Sequence, residues 1–169
     1  RLARELKVWA KVKHPNVLEL IGYYLSDDYG CAQFVSAYMS NGNVMQYIQR
    51  TGARLAVRLK FVRDIAAGLK YLHDFSPPIC HGDLKPANVL VNEDLDAVLC
   101  DFGVSSFIQE SEAPSGLDTS QSIKGSTRYM SPELFPKDGH PKHTLQSDVW
   151  AWGCTVFQVG GTTKIKGCR

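Results

Sequence analysis

Between Leu55 and Phe75, apolar residues recur every three or four positions, at Leu55, Leu59, Val62, Ile65, Ala66, Leu69 and Leu72. That spacing places them on one broad stripe of an α-helix, and Ser76-Pro77-Pro78 stops it, because proline cannot continue the backbone ladder. The segment predicts a core helix. Leu2, Leu6, Trp9 and Val12 repeat at the same spacing and predict a helix from Leu2 to Lys13, closed by His14-Pro15. Val17 to Leu25 and Ala32 to Ala37 are apolar and β-branched, and the turn residues Ser26 to Gly30 between them predict a hairpin. Ser40-Asn41-Gly42-Asn43 is a turn delivering a short helix with Val44, Tyr47 and Ile48. Val89 to Val91 and Ala97 to Cys100 flank Asn92 to Asp96 as a second small hairpin. Residues 103 to 124 are polar and without period, which predicts a long loop. Ser147 offers an N-cap to a helix carrying Val149, Trp150, Gly153, Val156 and Phe157. Apolar periodicity stops at Gly160, and no internal repeat is visible.

Composition narrows the class. The net charge of +2 argues for neither nucleic acid nor membrane binding, and no apolar run reaches the roughly 20 residues of a membrane span. Five widely spaced cysteines without a C-x-x-C pair argue against a zinc site and against a disulfide scaffold. Reduced thiols and the lack of a signal peptide lead to the expectation of a cytoplasmic or nuclear protein.

Two short motifs carry chemistry. His81-Gly82-Asp83-Leu84-Lys85-Pro86-Ala87-Asn88 follows the long helix, and Asp101-Phe102-Gly103 follows the second hairpin. Together they bring a carboxylate, a lysine, an asparagine and a second carboxylate. Aspartates in turns also serve as simple caps, but both motifs in this order, joined by a hairpin, disfavour that reading. The pair resembles the catalytic loop and metal-binding motif of the protein kinases. The resemblance implies an α+β, protein-kinase-like fold, truncated to part of the small lobe (a helix plus strands) and the first part of the mostly helical large lobe. It assigns residues 1–159 to a partial kinase domain and 160–169 to an atypical tail.

By the same resemblance, Asp83 orients the substrate hydroxyl and accepts its proton, and Lys85 neutralises charge on the γ-phosphate of ATP. Asn88 and Asp101 bind Mg²⁺. Glu5 matches the glutamate that pairs with the ATP-binding lysine. Ala37 and Met39 form a hinge that holds adenine through backbone groups, with Ser36 as a small gatekeeper and Leu90 as the floor. Trp9, Leu20, His81 and Phe102 form an apolar spine. Asp148, in Ser147-Asp148-Val149-Trp150, anchors the catalytic loop. Gly125 to Glu133 resembles the end of an activation segment, with Ser131 where alanine is commoner. Lys85 with Pro86-Ala87 is similar to serine/threonine kinases, while Trp9 and Tyr38 to Gly42 resemble the tyrosine-kinase-like group. The implied partner is a protein substrate, with no nucleic acid and no membrane, and the oligomeric state is left open.

Gly82 stands where the family usually has an arginine that grips a phosphorylated activation loop, so loop phosphorylation is not expected to act through this position. The sequence holds no Gly-rich phosphate loop and no Val-Ala-Ile-Lys-like strand, so low activity is expected of this chain alone. The last helix is apolar around most of its circumference, so Trp150, Val156 and Phe157 are expected to lack covering partners and folding to be marginal. Two alternatives stay open: a pseudokinase-like binding module or truncated gene product, and a small-molecule phosphotransferase, whose catalytic loop also opens His-Gly-Asp.

Overall fold

A computed structural model describes residues 6, 8–26, 32–101, 106–107, 127–135 and 142–161. Glu5, Phe102, Gly103, Ser122, Gly125 and Ser126, for which the sequence raised expectations, lie outside the described residues. Leu6, Val8 and Trp9 are helical, but the helix gives way to a turn at Ala10 and Lys11, short of the expected end at Lys13. Lys11 N and Val12 N bond to carbonyls only three residues back, those of Val8 and Trp9, which tightens and ends the spiral.

The first hairpin joins β1 (Leu20–Leu25) to β2 (Ala32–Ser36), antiparallel, with an irregularity between Leu20 and Gly22. Val17 falls outside β1. It pairs instead with Leu99 in a parallel bridge, and Leu18 N donates to Leu99 O at 2.8 Å. Next comes α1 (Val44–Thr51), whose N-cap Asn43 forms a capping box with Gln46 and whose end at Gly52 is left-handed, φ 64°. The long helix α2 spans Leu55–His73.

Behind α2 run β3 (Ile79–Cys80), then the hairpin of β4 (Val89–Val91) and β5 (Ala97–Leu99), registered Val89 to Leu99 and Val91 to Ala97. The expected long loop contains a short strand, β6 (Ser106–Phe107), which pairs with β3. Local sequence missed it because its ladder partner lies far back in the chain. The last helix, α3, covers Leu145–Gly160.

One core joins these elements. Phe61, Ile65 and Leu72 of α2, with Ile79, Leu84, Val89 and Leu99, are fully buried. Each such side chain contributes about 1.5–3 kcal/mol of burial. Gly68 of α2 permits close contact with the segment after the first helix. A Cβ there would lie 2.5 Å from the Asn16 carbonyl oxygen, the atom that accepts Leu99 N.

Two expectations are corrected. Leu55 and Leu59 belong to the apolar stripe by spacing, yet both are exposed, because the first turns of α2 pack through Val57, on the face that continues to Phe61 and Ile65. The N-cap of α3 is Thr144, not Ser147. Thr144 Oγ1 accepts Ser147 N at 3.1 Å and Ser147 Oγ accepts Thr144 N at 2.9 Å, so the serine closes the capping box at its third position. On α3, Trp150 and Phe157 are exposed as expected, at 48% and 65%, whereas Val156 is half-buried.

Candidate active site

The site grows from the loop between β3 and β4. Pro86–Asn88 forms a single 3-10 turn whose Pro86 and Asn88 are buried, and this turn brings Asn88 back against Asp83. Asn88 Nδ2 donates to the Asp83 carbonyl at 2.9 Å and to its Oδ2 at 3.1 Å. Lys85 Nζ donates to the same Oδ2 at 2.5 Å. Two donors on one oxygen fix the plane of the Asp83 carboxylate, and with 14% of the side chain accessible it still meets solvent.

His81 ties this loop to the second motif. Its Nδ1 accepts Asp83 N at 3.3 Å, so Nε2 carries the proton and donates to the carbonyl of Cys100 at 3.2 Å. Cys100 N in turn donates to the carbonyl of Asn88 at 3.0 Å. These bonds bring the chain just before Asp101 alongside Asn88. Asp101 is exposed and its backbone is left-handed, φ 64°, a region that aspartate tolerates better than most residues. Burial and then the Asp101 charge push the Cys100 thiol up to about 12, while Lys85 pulls the other way. Both motif charges therefore act on one spot.

The loop rests on Asp148, at the start of α3 and 1% exposed. Its Oδ2 accepts His81 N at 2.8 Å and His73 Nε2 at 3.0 Å, and its Oδ1 accepts Gly82 N at 2.9 Å. Burial resists ionisation, but the His73 bond, the nearby His81 ring and the two amides outweigh it and hold the carboxyl below the usual carboxylate range. Gly82 sits at φ 78°, where a side chain would strain the backbone. Glycine thus suits the turn that points its N–H at Asp148.

Asn88 and Asp101 offer only oxygens towards a cation, since the Asn88 amide nitrogen is engaged with Asp83. Among the described residues, no group of three or more histidines, cysteines, aspartates or glutamates is placed to hold a metal. The oxygen donors of Asn88 and Asp101 suit a hard cation that completes its shell with phosphate and water. A cleft of about 280 Å³ opens beside it, lined by Lys85, Ala87, Arg128 and Tyr129. A wider hollow of about 590 Å³, lined by Ser40, Asn41, Gly42, Gln46, Gln49 and Arg50, contains none of the motif residues.

The hinge candidates lie between β2 and α1. Ala37 is exposed and Met39 half-buried, and the Met39 carbonyl accepts Gly42 N at 3.0 Å. Leu90 is half-buried on β4 and bridges Asn43. Of the spine candidates, Trp9 is buried, donates to the Leu18 carbonyl and meets Phe34 edge-on at 5.7 Å, Leu20 is partly buried, and His81 is fully buried. Sequence reasoning missed His73 and the bond from Tyr129 Oη to Gln158 Oε1 at 2.5 Å, which ties the segment after the long loop to α3. His73 and Gln158 belong to no motif, and the motif that contains Tyr129 does not reveal its partner on α3. The one available signal was His73's place on the last turn of the long helix.

Comparison with known proteins completes the picture. The family model of the protein kinase domain matches residues 1–165. The chain is 35% identical over 164 residues to receptor-interacting serine/threonine-protein kinase 3 of Rattus norvegicus, covering 94% of this chain and 34% of that protein. It is 35% identical over 159 residues to LysM domain receptor-like kinase 10 of Oryza sativa subsp. japonica, covering 92% and 25%. It is 31% identical over 160 residues to the human serine/threonine-protein kinase TNNI3K, covering 92% and 18%. The chain thus spans about a third or less of the length of these curated relatives. Among the described residues, no helix is long and apolar enough to cross a membrane.

Proposed function

The chain belongs to the protein kinase domain family, and from that premise we propose that it serves ATP-dependent phosphoryl transfer to serine or threonine of a protein substrate. Family membership implies ATP and a divalent metal. The observation that carries the reading is the Asp83 carboxylate, oriented by Lys85 and Asn88 and held on a loop that Asp148 grips through two amides.

In this reading Asp83 receives the proton of the substrate hydroxyl as its oxygen bonds to the γ-phosphorus, the bond from that phosphorus to the bridging oxygen breaks, and ADP leaves. Lys85, already within 2.5 Å of Asp83, lies close enough to balance charge on the phosphoryl oxygens. We assign the metal as Mg²⁺, which Asn88 and Asp101 would hold through their oxygens, with phosphate and water as its remaining ligands. When bound, the ion draws charge from the phosphates. Backbone groups of Ala37 and Met39 hold adenine above Leu90. With the Met39 carbonyl taken by Gly42, its N–H would be the group to meet the base. Glu5 keeps its assignment as partner of an ATP-binding lysine. The free thiols of Cys80, Cys100 and Cys154 suit a reducing cytosolic or nuclear setting.

The test is to incubate the intact protein with ATP, Mg²⁺ and casein or a myelin-type protein, then identify the phosphorylated amino acids. Phosphoserine or phosphothreonine is expected. Mg·ATP binding without transfer would make it a binding module, and transfer to small aminoalcohols alone would make it a small-molecule phosphotransferase.

A further inference from the structure

We propose that His73 is a positioning residue for phosphoryl transfer, acting from the last turn of α2 through the buried carboxylate of Asp148 on the loop that carries Asp83. The inference rests on the kinase reading above, but its geometry stands apart from it. Asp148 has two oxygens and three nitrogen donors, and the Cys80 thiol also lies against it. Gly82 N takes Oδ1, while His81 N and His73 Nε2 share Oδ2. The carboxylate sits at the start of a different helix from His73, seventy-five residues along the chain. The imidazole is thus the strut that fixes the rotation of the Asp148 side chain relative to α2.

A carboxylate held only by two loop amides is free to turn with them, whereas one also held by a rigid helix imposes its orientation on them. His81 and Gly82 immediately precede Asp83, and His81 further accepts Asp83 N and donates to Cys100 O. A rotation at Asp148 therefore reaches both the base and the chain before Asp101. Both side chains are sheltered, with 16% exposure at His73 and 2% at Asp148, so water cannot replace the strut cheaply. Lys85 and Asn88 orient the Asp83 carboxylate from the other side. The expected consequence is a loss in the chemical step with ATP binding largely kept, since the adenine contacts lie elsewhere.

Two variants of the intact protein test this. His73→Leu keeps the bulk and removes the donor, and His73→Gln restores an N–H near the position of Nε2. The readouts are kcat, KM for ATP and the hydrogen-exchange rates of the His81 and Gly82 amides. The leucine variant is expected to fold, to lose about tenfold or more in kcat with KM for ATP within twofold, and to exchange both amides about tenfold faster. The glutamine variant is expected to recover most of both effects. Unchanged kcat and exchange in the leucine variant, equal losses in both variants, or failure of the leucine variant to fold would each overturn the proposal. Should the wild-type protein transfer no phosphate, the kinase reading fails, and amide exchange alone still decides the role of His73.

Discussion

Asp64 and Asp148 are both almost wholly buried, 5% and 1% exposed, and each gathers several donors, yet they hold different things. Asp64 collects Lys60 Nζ at 2.8 Å, Arg63 Nη2 at 3.3 Å and the Ala97 amide at 3.2 Å. Lys60 also reaches the Asp96 carboxylate and the Leu95 carbonyl. This network sews α2 to the turn of the β4–β5 hairpin. Its cations lie partly in water, Lys60 at 31% and Arg63 at 75% side-chain exposure, so solvent screens much of their attraction. Asp148 instead collects two adjacent amides and a sheltered imidazole, all spent on the loop before Asp83. The first network secures scaffold, and the second converts scaffold rigidity into the aim of a reactive group. Stability and catalysis should therefore separate when the two are cut.

The largest stability effect is expected at Asp148. Replacing it with alanine strands two buried amides and should cost about 3–5 kcal/mol in urea unfolding, with kcat down at least tenfold. Asp64→Ala should cost about 1.5–3 kcal/mol while leaving kcat within about threefold. Equal catalytic losses in the two variants would erase the distinction drawn above.

Acid provides a finer separation. The Asp148 and Asp96 carboxyls are held below 3.8, Asp148 against its burial and Asp96 chiefly by the Lys60 bond. Their stabilisation is present above 3.8 and is lost as pH falls through their lower folded values. His143 and His14 are lowered from 6.5 by burial, so their contribution is present above 6.5 and fades as pH falls below it. Stability followed against pH should decline in two stages, each with a slope of at most about 1.4 kcal/mol per pH unit per group. Asp148→Asn should flatten the lower stage and, by removing a charge that holds the His143 ring up, deepen the upper one. The smallest effect is expected on the exposed face of α2, where Leu59→Gln should change stability by no more than about 0.5 kcal/mol.

The motif residues were legible because their chemistry demands fixed residue types at fixed spacing, and Asp83, Lys85 and Asn88 do converge. The long helix was legible from its period, but its covered extent was not. Periodicity marks a stripe, while burial depends on what packs there, and Leu55 and Leu59 were left outside. Thr144 and Ser147 are both hydroxyl residues three apart, so local sequence permits either as the cap, and only the reciprocal bonds decide. The pairing of β6 with β3 and the reach of His73 to Asp148 join residues distant in sequence, which no local pattern encodes.

The most direct test of the account compares the intact wild-type protein with Asp83→Asn in transfer of labelled γ-phosphate from ATP to a serine- or threonine-containing protein. The account predicts transfer by the wild type and a loss of about 10²–10⁴-fold in kcat in the variant, with unfolding stability and Mg·ATP affinity nearly unchanged. Transfer that survives the substitution at the wild-type rate would contradict it.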